Sequence, residues 1–139
     1  MSPFPRLIPC LDLIDGRVVK GIRFEAVSAV ADPVERASDY ESQGADELVV
    51  LDIAATPRRG DADLTVVRRI ADVLSIPLTV GGGVRTLEDV TARLRHGADK
   101  VAINSAALQD PTLLRRAADE HGSQCVVAAV DVRRTDASW

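Results

Sequence analysis

Aromatic side chains are nearly absent: one Trp, one Tyr and two Phe stand among 139 residues. The core therefore cannot rest on aromatic packing. The hydrophobic 46% of the chain is mainly Val, Leu, Ile and Ala, a set that suits the buried strands of a parallel α/β layer. Cysteine is equally scarce. Cys10 and Cys125 make no C-x-x-C pair and have no histidine at metal-ligand spacing, so no metal is expected. Each lies in an apolar run and reads as a reduced core thiol. No apolar stretch approaches the ~18 residues of a membrane span, and Met1–Pro5 lacks the apolar segment of a signal peptide. A reducing cytoplasm is the expected setting. A basic stripe is also missing: net charge is −4 with Lys and Arg scattered among acids, which argues against a nucleic-acid surface. Small anionic ligands stay open, because backbone N–H groups bind phosphate without a basic protein.

Short apolar runs are present at Leu7–Leu11, Leu48–Ile53, Leu78–Val80, Val101–Ile103 and Val126–Val132. Helix punctuation falls between them. Asp32-Pro33 supplies an N-cap and a Pro at the first helical position, with Gly44 as the stop. Asp110-Pro111 repeats the signal, with Gly122 as its stop. Thr86 and Asp89 form a capping box that ends at Gly97. Asp61–Leu74 carries apolar residues at helical spacing. Alternation of this kind predicts parallel strands with crossover helices. Gly44-Ala45-Asp46-Glu47-Leu48 also lines up with Gly97-Ala98-Asp99-Lys100-Val101, 53 residues further on. A repeat of about two βα units favours a barrel over an open sheet. The predicted fold is α/β, the parallel (β/α) half of a TIM barrel with about five strands and four helices.

In such folds the chemistry gathers at the C-terminal ends of the strands. Cys10 and Asp12 follow the first run, Asp52 the second, and Gly81-Gly82-Gly83 the third. Asn104 and Ser105 follow the fourth, and Asp131 the fifth. Asp12 and Asp131 are candidate acid and base, since two carboxylates in unlike environments can divide those roles; each alone would also serve as a loop cap. The glycines let backbone N–H groups approach an anion, and Asn104-Ser105 adds an amide and a hydroxyl. Together they read as a phosphate cradle, although a tight turn would use the same glycines. Neither G-x-G-x-x-G nor G-K-[ST] occurs. Lys20 ends a basic loop, Asp15–Lys20, that could close over an anion or simply be solvated. His96 and His121 precede helix-stopping glycines and complement helix dipoles. At the opposite strand ends, Arg6, Glu47 and Lys100 bring opposite charges to what would be the stability face.

Ile8-Pro9-Cys10-Leu11-Asp12-Leu13, Asp15–Gly21, Asp46–Ile53, Thr79–Val84, Gly97–Ala107 and Val130-Asp131 are long, ordered motifs. They resemble the family of cyclase subunits of imidazole glycerol phosphate synthase over essentially the whole chain. The sister isomerase family shares the glycine turn and the first Asp; Cys10-Leu11-Asp12 and Val19-Lys20-Gly21 favour the cyclase. The resemblance implies a barrel that receives ammonia from a partner glutaminase and acts on a bis-phosphate ribotide. It implies that Asp12 and Asp131 are the catalytic carboxylates and that Lys20 is a catalytic loop lysine. Gly82, Gly83, Asn104 and Ser105 would hold one phosphate, with Cys10 and Asp52 nearby. Ser105 stands where the family often has Thr. Arg6, Glu47 and Lys100 would gate ammonia, and Asp99 would lie on the glutaminase face. No cofactor is implied.

A complete barrel needs roughly 250 residues. The expected domain is thus one (β/α)4-β half-barrel over 1–139, truncated relative to eight units. Its open strand edges and uncovered inner wall predict a homodimer or larger homo-oligomer. Two further readings remain: a non-catalytic phosphate-binding half-barrel, and the isomerase.

Overall fold

The computed structural model describes residues 4–22, 25–54 and 64–134. Strands β1 (Cys10–Ile14), β2 (Arg17–Ile22) and β3 (Glu25–Ala31) come first. Next come α1 (Pro33–Ser42), β4 (Leu48–Asp52), α2 (Leu64–Ala71), β5 (Leu78–Gly81) and α3 (Leu87–Arg95). They are followed by β6 (Lys100–Ile103), α4 (Ser105–Gln109), α5 (Thr112–His121) and β7 (Val126–Ala128). Among the described residues they form one seven-stranded sheet in the order β3-β2-β1-β4-β5-β6-β7.

The five parallel strands β1, β4, β5, β6 and β7 lie side by side in chain order. This is the (β/α)-barrel order expected from the alternation. The structure adds an antiparallel hairpin, β2–β3, that pairs with β1. The expected basic loop after the first strand is therefore itself a strand, turned at Asp15-Gly16, where both residues take positive φ. One expectation falls with it. The outer edge of β1 is not open but covered by β2, and the sheet's edges are β3 and β7. The first strand also sits three residues later than its apolar run suggested, so Asp12 lies inside β1. The last strand is only Val126–Ala128. Leu7–Pro9 and Ala129-Val130 are apolar without being strand, which is why composition alone misplaced both boundaries. The Asp61–Leu74 helix forms as Leu64–Ala71; residues 61–63 lie outside the described range.

The caps explain where helices begin. Asp32 Oδ1 accepts from the N–H groups of Val34 and Glu35 ahead of Pro33. Thr86 and Asp89 form the reciprocal box. Asp110 Oδ1 takes both the N–H and the hydroxyl of Thr112, so α5 starts two residues after it.

Side chains alternate across the parallel strands, and the two faces differ. Leu11, Leu13, Leu48, Val50, Leu78 and Val80 point to the helix layer and are 5% exposed or less. They pack on Ala37, Val66, Val67 and Ile70. Val101 and Ile103 do the same beneath Val90, Leu113 and Ala117. Each such buried aliphatic contributes about 1.5–3 kcal/mol, so stability is concentrated on the helix side. The other face carries Cys10, Asp12, Val49, Leu51 and Val127, which stay half-buried or exposed.

Candidate functional site

Register fixes the neighbours of Asp12. It pairs with Leu51, Leu51 pairs with Gly81, and Gly81 pairs with Ala102. Half-buried Leu51 lies beside Asp12 and reaches over Gly81, where a Cβ would come within 2.7 Å of a Leu51 methyl. Partial burial pushes the Asp12 carboxyl above the usual carboxylate range. Cys10, two residues earlier on the same face, is not the core thiol expected from its apolar run but is exposed. Crowding by its surroundings, and then the negative charge of Asp12, push its thiol up.

Beyond β5, Gly82 and Gly83 take φ of +94° and +62°. A Cβ at Gly82 would stand 2.1 Å from the Asp52 carbonyl oxygen, so the turn lies directly against the end of β4. On its other side the Gly82 carbonyl accepts from Arg93 Nη2 at 2.8 Å. Beyond β6, Asn104 Nδ2 donates to Asp131 Oδ2 at 2.8 Å. This bond joins a residue expected in the phosphate cradle to one of the two expected catalytic carboxylates. Ser105 is exposed at the start of α4. Asp12 and Asp131 belong to opposite sides of the five parallel strands, four strand spacings apart. That is about 19 Å measured along the sheet, and any barrel curvature shortens the direct path.

Two expected site residues stand elsewhere. Asp52 follows the parity of Leu48 and Val50 and lies with Leu13, Val66 and Val67 in a pocket on the helix side. Its Oδ1 accepts from the Ala54 N–H at 3.1 Å. It therefore faces away from Asp12. Lys20 lies in β2, opposite Ser28, and its side chain is outside the described residues.

The opposite rim carries the charged set. Buried Glu47 accepts from Lys100 Nζ at 2.7 Å through Oε2 and from Arg6 through Oε1. The opposite charges expected to meet there do so. Beside them, Asp99 exchanges two bonds with Leu78: its N–H donates to the Leu78 carbonyl, and its Oδ2 accepts the Leu78 N–H, both at 2.8 Å. Asp46 does the same with Leu7, at 2.8 and 2.7 Å. The repeat seen in the sequence is thus a physical device, an aspartate clamp at the entrances of the β1–β4 and β5–β6 pairs.

Both histidines serve helices. His96 Nδ1 meets the Ala92 carbonyl at 2.7 Å, and His121 Nε2 meets Thr91 Oγ1 at 2.8 Å. Sequence reasoning missed Arg93, which is 3% exposed. The available signal was an arginine three residues after Val90, on the stripe of Leu87, Val90 and Leu94. Among the described residues no group of three His, Cys, Asp or Glu is placed to hold a metal ion, and no helix is long and apolar enough to cross a membrane.

Parallel strands whose C-terminal ends gather an aspartate, a glycine turn and an Asn–Asp pair place this chain among the (β/α)-barrel proteins. It belongs to the histidine biosynthesis protein family, which it matches over residues 6–138. It is 54% identical over 130 residues to the imidazole glycerol phosphate synthase subunit HisF of Endomicrobium trichonymphae, covering 94% of this chain and 50% of that protein. It is 55% identical over 135 residues to the subunit of the same name from Streptococcus sanguinis, covering 96% and 54%. The subunit from Methanosphaerula palustris is 55% identical over 133 residues, covering 96% and 50%. The expected resemblance is borne out. The chain spans about half the length of these curated relatives.

Proposed function

We propose that this chain carries one half of an ammonia-dependent cyclase site of histidine biosynthesis. The substrate is the bis-phosphorylated phosphoribulosyl formimino derivative of aminoimidazole carboxamide ribotide. The products are imidazole glycerol phosphate and aminoimidazole carboxamide ribotide. Asp12 and Asp131 act as the acid/base pair, and Lys20 serves as the third catalytic residue. The N–H groups of Gly82 and Gly83, with Asn104 and Ser105, hold one phosphate; Cys10 borders the site, and Asp52 supports the glycine turn from behind. Arg6, Glu47 and Lys100 control ammonia entry, and Asp99 lies on the face that meets a glutaminase.

The observation that carries this reading is the Asn104–Asp131 bond at 2.8 Å. It couples phosphate binding to the position of a catalytic carboxylate. The raised pKa of Asp12 supports its role as the group that keeps its proton longer.

The test is turnover by the purified chain with substrate and an ammonium salt, beside Asp12→Asn and Asp131→Asn. Product from the wild type and none from either variant supports the assignment. Full activity in Asp12→Asn overturns it. Phosphate binding without product marks a non-catalytic binding module, and turnover of the preceding intermediate marks the isomerase. The half-exposed inner residues Val49, Leu51 and Val127, with exposed Val130 and Val132, also support self-association through the uncovered face. Light scattering showing a stable mass near 14.9 kDa ends that part of the reading.

A further inference from the structure

We propose that Arg93 is a positioning residue for the anion site: from behind the glycine turn, its guanidinium orients and polarises the Gly82–Gly83 peptide so that the Gly83 N–H is presented to a phosphate. The inference rests on the phosphate reading of this turn.

Arg93 is a buried cation on α3. Its Nη1 donates to the Asp89 carbonyl at 2.9 Å and its Nη2 to the Gly82 carbonyl at 2.8 Å. The residues around it on the helix, Leu87, Val90 and Leu94, belong to an apolar stripe packed on the core. An aliphatic side chain would continue that stripe without the desolvation cost of a guanidinium. What arginine adds is reach and a rigid fork. One planar group spans two carbonyls, tying the first turn of α3 to the end of β5.

The consequence follows from the peptide group itself. The unit is planar and trans, so its carbonyl and its N–H point in opposite directions. Fixing the Gly82 oxygen on Arg93 therefore aims the Gly83 N–H away from Arg93. A carbonyl that accepts from a cation also makes the N–H of the same peptide a better donor, because hydrogen bonds in a chain polarise one another. Glycines at φ of +94° and +62° have many conformations available when unrestrained. Contact with the Asp52 backbone restrains the turn on one side, and Arg93 restrains it on the other.

The test is titration of the full chain with inorganic phosphate, read from the amide resonances of Gly82, Gly83 and Ser105, for the wild type, Arg93→Met and Arg93→Lys. Far-ultraviolet circular dichroism and the amides of β1 and β4 report on the fold. Arg93→Met should bind phosphate about tenfold more weakly with those distant amides unmoved, the loss expected of one charge-assisted hydrogen bond. The free-state Gly83 proton should move upfield as its N–H loses polarisation. Arg93→Lys keeps the charge without the fork and should fall between the two. If Arg93→Met binds within twofold of the wild type and only its thermal stability drops, Arg93 is a structural prop and the inference is overturned while the phosphate reading stands. If Arg93→Met does not fold, Arg93→Lys decides alone, and an affinity equal to the wild type overturns the inference. A wild-type chain whose glycine amides do not respond to phosphate overturns the parent reading, and this inference with it.

Discussion

Replacing Gly82 with alanine should cost far more stability than replacing Gly44, although the two glycines have nearly the same φ. Their φ values are +94° and +92°. An L side chain there costs about 1–2 kcal/mol at either position. The surroundings differ. A Cβ at Gly44 meets nothing within 4 Å, whereas at Gly82 it would stand 2.1 Å from the Asp52 carbonyl oxygen and 2.8 Å from the Asp52 nitrogen. Both atoms are backbone and cannot rotate away, so the turn must move by about 1 Å to reach ordinary contact. Overpacking of this kind costs about 1–3 kcal/mol more. Gly44→Ala should therefore lose about 1–2 kcal/mol, and Gly82→Ala about 2 kcal/mol beyond that. Urea denaturation of the two variants and the wild type measures the difference, with equal m-values securing the comparison. Gly82→Ala should also abolish the phosphate response of the Gly83 amide, which Gly44→Ala should leave intact. Equal destabilisation by the two substitutions would refute the claim that the rim is built on close backbone contact between β4 and the turn.

Asp12→Asn should cut turnover by about 10²–10⁴-fold, the range of a lost acid/base group, and yet raise stability at neutral pH. The Asp12 carboxyl is shifted up from its ordinary 3.8. The stability it contributes is present below that value and is lost as pH rises through its folded pKa. The advantage of the variant should thus vanish in acid, and denaturation midpoints at several pH values check it. Glu41 has the opposite sign. It accepts from the Ser75 hydroxyl at 2.6 Å, the Ser75 N–H at 2.9 Å and the Ile76 N–H at 3.1 Å, which hold its carboxyl below the ordinary 4.5. Its contribution is present above that pH and lost as pH falls, so Glu41→Gln should flatten the acid limb of a pH–stability curve. Glu47→Gln removes the carboxylate that binds both Arg6 and Lys100. It should cost about 2 kcal/mol, less than a fully buried pair because both cations reach water; an unchanged denaturation midpoint would count against the pairing.

Much of this architecture was legible because its signals are local. Asp32-Pro33 and Thr86 with Asp89 specify helix starts through their own backbone partners, and both form as read. The alternation of apolar runs with capped segments carried the parallel order of five strands. What depended on pairing was hidden. Asp15-Gly16 is itself a two-residue hairpin signal, passed over because the segment read as a basic loop; the pairing that lays the hairpin along β1 becomes visible only in the sheet. Asp52 read as a site residue from its place at a strand end. Its face is set by the period of two counted from Leu48 and Val50, and that count turns it toward α2. Arg93 was hidden for the converse reason: charge suggests surface, and only the packed helix shows its guanidinium meeting the Gly82 carbonyl.

The two rims of the sheet are built on different physics, and the difference assigns their roles. At the strand starts every feature is closed. Asp46 exchanges two bonds with Leu7 ahead of β1, Asp99 two with Leu78 in β5, and Glu47 and Lys100 meet 53 residues apart at 2.7 Å. Asp46 and Asp99, like Glu47 and Lys100, occupy matching places in the two copies of the sequence repeat. The repeat thus carries a lock in each copy and places opposite charges beside the two locks. At the strand ends the features are open. Asp12 keeps a raised pKa on a half-covered face, Ser105 is exposed, and the Gly82–Gly83 turn takes positive φ at both residues. The Gly82 turn against Asp52 and the Arg93 grip on the Gly82 carbonyl restrain that rim from beneath. Stability invested at one end permits unsatisfied chemistry at the other, and in a parallel sheet the end left open is the one where ligands bind.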